Sequence, residues 1–372
     1  MAATMELITI SRMKAARRCL RFHYFDYEIG RRPIKTGEAL FFGTLFHVGL
    51  EQWWLGWKDR QAQFRDSPEI DWKVALPPED ILANCIGAMQ LKFAGSAEDA
   101  DASPFDLIKA EELMRGYHYR WIDDMEVIEV IDVESQFVMP MVNPLTGRPS
   151  QTYQLGGKVD VRVRMQDGTC RTIEHKTSTE IIEPGAVYWT RLRMDGQVSQ
   201  YQDGARFLGD DVAGCIYDVV RRPTQVPAQA TPEEEKKYTK KASTLKDGTK
   251  RPAGSLHANQ READETPEEY RERVGNDIAD DPNKYYQRAD VVRLEDEMNE
   301  FRFDTWELAK TVRERQLAAR TLGRMAWPRN PDGCFKWSRA CEYFAVCTGA
   351  ASIDDDHLFC DKGSQHSELE VG

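Results

Sequence analysis

Apolar side chains recur at helical spacing along several long stretches of this sequence. The pattern predicts helices over 11–29, 37–58, 78–126, 195–208 and 291–324. Ser11 is the expected N-cap of the first helix, the Ser103-Pro104 pair should interrupt the third, and Pro328 should follow the end of the last. The segment 41–47 of the second helix is apolar almost all round, which indicates that it is buried.

Over shorter segments, apolar and polar side chains alternate, as they do in strands that place one face on a core. This alternation predicts a strand over 127–139 and a hairpin over 158–176, and an apolar run predicts a buried strand over 214–220. The sequence therefore predicts both strands and helices.

The loop of the hairpin decides which residues face one another. A two-residue loop would leave neither face consistently apolar. A three-residue loop, 166–168, with its last residue Gly168 left-handed in a bulge, sets Asp160 opposite Glu174 and Val161 opposite Ile173. We adopt this register, in which one face packs on a core and the other faces solvent. The polar face then presents Asp160, Glu174 and Lys176 together.

Apolar residues become scarce over 223–290, where a basic block at Lys236–Arg251 precedes an acidic block at Glu262–Asp281. We expect this segment to be a charged insertion, partly disordered or forming a small solvated subdomain. Residues 1–350 should otherwise form a single domain, and 351–372 should be an acidic flexible tail.

Composition narrows the class of protein. Charged residues make up 30% of the 372 positions, and no apolar run approaches the ~18 residues of a membrane helix. The first residues lack the pattern of a signal peptide, so we expect a cytoplasmic protein whose cysteines are reduced unless they hold metal. The net charge of −12 implies that any basic surface for nucleic acid is confined, and Arg17, Arg18 and Arg21 form one basic cluster.

The polar face of the hairpin carries the groups that hydrolyse phosphodiesters. Two carboxylates, Asp160 and Glu174, can gather a divalent metal, and Lys176 supplies a cation beside it. Taken alone, such a pattern is more often a surface ion pair. Gln197 and Tyr201 stand one turn apart on the helix that follows, so this helix can place its polar face over the metal site.

Histidine and cysteine suggest further ligands. His47 lies in an apolar helix, where it is either a core residue or a neutral imidazole ligand, and Glu51, one turn on, is more simply a solvated acid. Three isolated thiols, Cys85, Cys170 and Cys215, are expected to be packing residues. Cys360 has no clear partner. Three more thiols follow the last helix as C-x6-C-x5-C, which suggests an iron–sulfur cluster or zinc and needs a fourth ligand. They are Cys334, Cys341 and Cys347.

The order of these motifs resembles that of the RecB-like PD-(D/E)XK nucleases, and looks closest to their iron–sulfur branch, which includes the AddB nuclease domain, the CRISPR adaptation nucleases and phage exonucleases. The resemblance covers most of 5–350 apart from 223–290. It implies an α/β fold with a restriction-endonuclease-like core, in which a mixed central sheet is flanked by helices and has the hairpin at its centre. It also implies that a [4Fe–4S] cluster joins the N- and C-terminal helices. The implied cluster ligands are Cys19, Cys334, Cys341 and Cys347.

The resemblance assigns roles to the site residues as well. Mg²⁺ or Mn²⁺ would be bound by His47, Asp160, Glu174 and the main-chain carbonyl of His175. Lys176 would orient the attacking water or stabilise charge on phosphorus, and Gln197 and Tyr201 would position DNA or Lys176.

The implied function is a free-standing DNA exonuclease of bacterial or phage origin that resects single-stranded or duplex ends for recombination or repair. Its partners would be DNA and a single-strand annealing or recombinase protein. No G-x4-G-K-[ST] loop is present, so a helicase motor would be a separate chain. Two other hypotheses remain: a cluster-bearing DNA-binding partner protein with a vestigial nuclease site, and a zinc-stabilised scaffold.

Overall fold

The computed structural model describes residues 5–34, 37–66, 78–100, 102–122, 127–244, 248, 250–257, 259–336, 339–364, 366 and 369. Among these residues, no helix is both long enough and apolar enough to cross a membrane.

A mixed six-stranded sheet forms the centre of the molecule. Its strands are β1 (Glu6–Ile8), β3 (Val127–Val142), β4 (Pro149–Met165), β5 (Cys170–Ser178), β6 (Val212–Arg221) and β9 (Tyr286–Val291). The order is β1-β4-β5-β6-β9, and β3 pairs with β4. β1 runs parallel to β4 and β5 runs parallel to β6, whereas the other pairs are antiparallel. Three small pairs complete the strands: β2 (Arg31–Pro33) with β12 (Phe359–Asp361), β7 (Ser243–Thr244) with β8 (Lys250–Arg251), and β10 (Phe335–Lys336) with β11 (Arg339–Ala340).

Helices cover both faces of this sheet. They are α1 (Ile10–Arg18), α2 (Leu20–His23), α3 (Glu38–Asp66), α4 (Pro78–Ala100), α5 (Pro104–Trp121), α6 (Val187–Leu192), α7 (Gly196–Phe207), α8 (Pro267–Asp280), α9 (Pro282–Tyr285), α10 (Glu295–Leu322) and α11 (Phe344–Thr348). A π-helix at Tyr24–Glu28 follows α2. Helices and strands therefore lie where they were predicted, except that the first predicted helix is divided; the last residues of the third, 123–126, lie outside the described residues. The expected break near Ser103 is the start of α5, where Ser103 forms a capping box with Asp106.

Apolar residues form separate cores on the two faces of the sheet. The larger core joins α3, α4, α5 and α8 to one face, with Trp53, Trp54 and Tyr117 among its large side chains. A second core on the other face joins β1, β3 and β4 to α1 and α10, and Phe137 and Phe301 lie in it. The α/β fold class, with a mixed sheet flanked by helices, is thus confirmed.

The register of the hairpin is as predicted where β4 and β5 pair, but this pairing ends before Asp160 and Glu174, which were predicted to lie opposite each other. Val161 lies opposite Ile173, and the loop ends with Gly168 at φ +83°. The prediction of one shared apolar face is wrong, however, because Val161 belongs to the larger core and Val159 to the second core. Between these two positions the neighbouring strand β3 is irregular, since Glu134 has a left-handed φ of +54°.

The proposed insertion has to be shortened. Within 223–290, α8 buries Tyr270, Val274 and Ile278 in the larger core, and β9 is a strand of the central sheet. The sequence suggested an insertion because α8 shows only a narrow apolar stripe between charged residues. The described residues of 231–261 are mostly exposed. The ends of this part meet, because Thr231 N–H donates to the Arg261 carbonyl over 3.0 Å.

Both ends of the chain differ from the expected helix and flexible tail. The predicted helix 11–29 starts with Thr9 as N-cap and breaks at Cys19, whose backbone is extended (φ −168°). In the C-terminal segment, β12 pairs with β2, and Lys362 binds Asp26 over 3.1 Å. These contacts hold residues 359–362 on the N-terminal part of the molecule.

Candidate active site

Two strands separate at the centre of the site. The pairing of β4 with β5 ends at Val161 and Ile173, so the next N–H group of β5 needs another acceptor. Oδ2 of Asp160 supplies it, since it accepts a hydrogen bond from His175 N–H over 2.8 Å. The Asp160 carboxylate is therefore fixed between the two strands.

Glu174 and Lys176 lie on the face of β5 that α7 covers. The ammonium group of Lys176 binds Oε1 of Glu174 and also donates to Oε1 of Gln197 over 3.2 Å. The Nε2 group of Gln197 donates to the same Glu174 oxygen over 2.6 Å. Three of the predicted catalytic side chains thus form one hydrogen-bonded group.

This face of the hairpin is buried, which corrects the prediction of a solvated polar face. Glu174 is 3% exposed and Asp160 9% exposed, because α7 lies across the strands. Burial raises the pKa of the Glu174 carboxyl, and the charge of Asp160 raises it further. Burial alone would lower the pKa of Lys176, but the charges of Glu174 and Asp160 raise it, so Lys176 remains an ammonium ion at neutral pH.

Glycines let α7 approach the sheet this closely. A Cβ atom at Gly157 would lie 2.8 Å from the Phe137 ring and 2.9 Å from the ring of Tyr201. Gln200 of the same helix donates to the Gly156 carbonyl over 2.7 Å. A glycine three residues before Asp160 therefore has a packing cause: Gly157 lets the helix with Gln197 and Tyr201 lie over the carboxylates. Tyr201 packs against Phe137 and Gly157 at the edge of the second core.

His47 reaches the site from the opposite face, on α3. Gly43, one turn earlier, lets this helix approach β5, since a Cβ there would lie 3.2 Å from Oγ1 of Thr177. The rings of His47 and His175 are 6.1 Å apart, and the negative charge of Asp160 acts on His47. Burial nevertheless lowers the pKa of His47 to about 4, so its imidazole is neutral at neutral pH, the form that binds metal.

A buried carboxylate, that of Asp218 on β6, contacts the imidazole ring of His175. Nδ1 of His175 lies 3.3 Å from Oδ2 of Asp218, which is fully buried. The same Asp218 oxygen accepts from Tyr117 and from Arg288, and the charge of Arg288 and these hydrogen bonds lower the pKa of Asp218 against the effect of burial. The strand that carries the Glu-x-Lys motif is thus anchored on both faces.

Sequence reasoning missed four charged residues near the carboxylates. Lys14 and Asp195 form an ion pair beside Gln197, and Asp195 was detectable only as the start of the predicted helix. Glu134 pairs with Lys158, and its neighbours on β3 pair with the neighbours of Asp160. No motif marks Lys14, Glu134 or Lys158 in the sequence.

Two carboxylates and a neutral imidazole are a donor set that suits Mg²⁺ or Mn²⁺. Oε2 of Glu174 is buried and has no hydrogen-bond partner in the part of the chain that the structure describes, and a cation would provide one. Among the described residues, however, no group of three or more His, Cys, Asp or Glu side chains is placed closely enough to hold a metal. The unpartnered Glu174 oxygen fits a divalent cation, and Asp160, Glu174, His47 and the His175 carbonyl stay predicted ligands.

The four cysteines of the predicted cluster come from segments that meet at one end of the molecule. Sγ of Cys19 accepts from Asn330 N–H over 3.3 Å, and Cys341 N–H donates to the Cys334 carbonyl over 2.7 Å. Burial raises the pKa of the Cys347 thiol, and the nearby Cys19 and Cys334 raise it further. The arrangement of the described side chains does not show a metal site here either. Two of the other thiols, Cys85 and Cys215, lie fully buried in apolar clusters, and burial raises the pKa of each to about 12.

Comparison with known proteins gives one family and little else. No curated protein sequence matches the chain. Among solved structures, the crystal structure of SSO0001 is similar at 13% identity, over 54% of this chain and 70% of that one, with a TM-score of 0.20, too low to support any argument. The model of the PD-(D/E)XK nuclease superfamily matches residues 8–348. That match spans nearly the whole chain, including both strands of the hairpin and α7, and the chain therefore belongs to the PD-(D/E)XK nuclease superfamily.

Proposed function

We propose that this protein is a metal-dependent deoxyribonuclease that removes nucleotides from DNA ends. The observation that carries the proposal is the buried group of Asp160, Glu174 and Lys176 where β4 and β5 separate. A solvated surface ion pair would not be covered by a helix that adds Gln197 to the same carboxylate. The family match supports nuclease chemistry for this group.

Each residue of the site has a distinct role in this proposal. Asp160 and Glu174 would bind Mg²⁺ or Mn²⁺, which supplies Lewis acidity to the scissile phosphate and acidity to a water. Lys176 stays protonated, so it acts as a cation that stabilises charge developing on the phosphoryl oxygens, and not as the base. Gln197 holds Lys176 and Glu174 in place through its amide.

The distribution of charge indicates where DNA would bind. The chain is acidic overall, so the DNA path has to follow confined basic surfaces. Arg17 and Arg18 close α1, next to Cys19, and the basic block lies in the exposed segment 231–261. DNA-end resection for recombination or repair, with a single-strand annealing or recombinase partner in a bacterial or phage setting, is part of the same proposal.

We also propose that Cys19, Cys334, Cys341 and Cys347 hold a [4Fe–4S] cluster, with zinc as the alternative. The convergence of their segments supports it: the Asn330 side chain donates to the Arg18 carbonyl over 2.8 Å, and Arg21 N–H donates to the Pro328 carbonyl over 3.1 Å. The cluster would join the two ends of the chain and would take no part in hydrolysis.

The test is digestion of end-labelled single- and double-stranded DNA with Mg²⁺ or Mn²⁺, with Lys176→Ala as the matched inactive variant. We expect mononucleotides or short products released from ends, and a loss of at least about 100-fold in rate for the variant. Stoichiometric DNA binding without cleavage would instead favour a vestigial site. Wild-type digestion by Lys176→Ala would overturn the mechanism.

A further inference from the structure

A second lysine reaches the amide that holds Lys176. Lys14, on α1, donates from Nζ to Oε1 of Gln197 over 3.3 Å. Oε1 of Gln197 also accepts from Lys176 over 3.2 Å. One amide oxygen therefore receives hydrogen bonds from two ammonium groups, which arrive from separate parts of the chain.

This arrangement fixes the orientation of the amide. A glutamine side chain has one end that accepts and one that donates. With Oε1 directed toward Lys14 and Lys176, Nε2 has to point toward Glu174, to which it donates over 2.6 Å. If the amide turned over, two ammonium groups would face its NH₂ group and Glu174 would face its oxygen. Each lysine thus adds to the preference for the orientation that serves the site.

Lys14 is itself held in position. Its Nζ lies 3.0 Å from Oδ1 of Asp195, the N-cap residue of α7. That carboxylate is fixed by two further bonds, from Gln197 N–H to Oδ1 over 3.0 Å and from the Tyr217 hydroxyl to Oδ2 over 3.0 Å. The Lys14 ammonium group therefore has a defined place, although its side chain is 49% exposed.

We propose that Lys14 is a positioning residue for Lys176 and acts through Gln197. The inference rests on the proposed nuclease function and deepens it. In this role Lys14 acts without contacting Asp160 or Glu174. It keeps Gln197 in the orientation that holds Lys176 against Glu174. Lys14 contributes to the rate of the chemical step and not to the affinity for DNA.

The first experiment compares steady-state kinetics of full-length Lys14→Met with the wild type. We expect kcat to fall about tenfold, with KM and the salt dependence of DNA binding unchanged, and Lys14→Arg to recover most of the rate. Lys310→Met is the matched control, because Lys310 is also half exposed (53%) and paired to an acid, Glu307, at 2.9 Å, on α10. It should retain wild-type kinetics. Methionine is a good helix former, so both variants should melt near the wild-type temperature.

A double-mutant cycle tests whether Lys14 acts through Gln197. In a Gln197→Ala background, Lys14→Met should lower kcat by less than about twofold, because the side chain through which Lys14 acts is absent. An equal tenfold loss in both backgrounds would overturn the inference. So would a raised KM with a salt slope lowered by about one unit, which would make Lys14 a phosphate contact, or wild-type kinetics of Lys14→Met. If the wild type itself cleaves no DNA with either metal, the proposed function fails first.

Discussion

Asp160 and Glu174 repel each other at a site from which α7 excludes most of the water. Burial raises the pKa of Glu174, so without a cation the charged pair costs folding free energy. An amide at position 160 removes this repulsion, and its oxygen can still accept from His175 N–H. The residue that is best for catalysis is therefore not the best for stability.

We accordingly expect Asp160→Asn to abolish cleavage and to melt at the same temperature as the wild type, or a few degrees higher, in EDTA. Mn²⁺ should raise the melting temperature of the wild type but not that of the variant, because a ligand that binds only the folded state stabilises it. Differential scanning calorimetry with and without Mn²⁺ measures both effects. Equal stabilisation of the two proteins by Mn²⁺ would contradict the assignment of Asp160 as a ligand.

His23, which lies outside the candidate site, should make the stability of the protein depend on pH. The ring is fully buried, and its Nε2 accepts from Nε of Arg12 over 3.2 Å, which only a neutral imidazole can do. Burial, with the charge of Arg12, lowers the pKa of His23 to about 3. The unfolded chain takes up this proton near pH 6.5, whereas the folded protein does so only near pH 3. Stability from this residue is thus complete above pH 6.5 and is lost as pH falls.

Between about pH 6.5 and 5, where carboxyl groups titrate little, His23 should contribute a loss on the order of 1.4 kcal/mol of unfolding free energy per pH unit. The side chain of His23→Gln can still accept from Arg12 and does not titrate. As pH is lowered, the unfolding free energy of this variant should therefore fall less steeply than that of the wild type, by about 1.4 kcal/mol per pH unit. Urea unfolding at several pH values compares the two slopes. Identical slopes would show that His23 is protonated in the folded protein.

How far single residues could be predicted depends on how far apart their partners lie in sequence. Asp160, Glu174 and Lys176 could be placed together because a hairpin of known register decides which side chains share a face. Their burial could not, since it depends on α7 packing through Gly157. Lys14 was invisible because it meets Gln197 across 183 positions, through the packing of α1 on α7.

At the scale of elements, the charged segment divides into two parts with opposite roles. Helix α8 and strand β9 belong to the core and the central sheet, whereas the residues described between 231 and 261 are mostly exposed. Sequence composition could not separate them, because a helix with three buried residues among many charges resembles solvated chain. The register of β9 against β6 depends on pairing across the sheet, which local composition does not report.

This division predicts that 232–260 can be replaced by a short glycine linker without loss of folding, because Thr231 and Arg261 are hydrogen-bonded neighbours. The deleted part contains the basic block Lys236–Arg251, in which seven residues are lysine or arginine. If it follows the DNA backbone, the salt slope of DNA binding should fall by roughly one unit for each phosphate that the deletion leaves without a basic partner.

Removal of 267–291 is the contrasting variant, and it should not fold, since it deletes buried Tyr270 and an entire sheet strand. Circular dichroism separates the two deletions, and DNA binding at several salt concentrations gives the slope. An unchanged slope in the shorter deletion would assign the basic block to a solvated loop that does not bind DNA.

At the scale of the whole molecule, polar contacts join the N-terminal and C-terminal parts of the chain. Arg12 is buried and binds both Glu6 and Glu28, at 2.8 and 3.0 Å, and the amide of Gln316 on α10 donates to the same two carboxylates. Close by, the Asn330 backbone N–H donates to Sγ of Cys19. A metal group at the cysteines would therefore reinforce a junction that the fold already makes.

Such a junction joins residues more than three hundred positions apart, so its loss should affect stability first. Closing so long a loop restricts the unfolded chain by an amount on the order of 4 kcal/mol, if a metal cluster acts as a disulfide does. Cys19→Ala should bleach the protein and lower its melting temperature as Cys341→Ala does, although the two residues lie at opposite ends of the sequence. The carboxylate site is separate, so Mn²⁺ binding per folded molecule should persist in both variants.

Cys215→Ala is the matched control, because this thiol is buried in an apolar cluster beneath α6 and α7. It should lower the melting temperature but keep absorbance near ~400 nm, where iron–sulfur clusters absorb, and the full iron content. Iron and zinc analysis of purified protein decides between cluster and zinc, since one zinc per chain with no colour would select the alternative. A Cys19→Ala protein that stays brown with four irons per chain would show that Cys19 is not a ligand, and Cys360, beside the N-terminal segment on β12, would then be the thiol to substitute next.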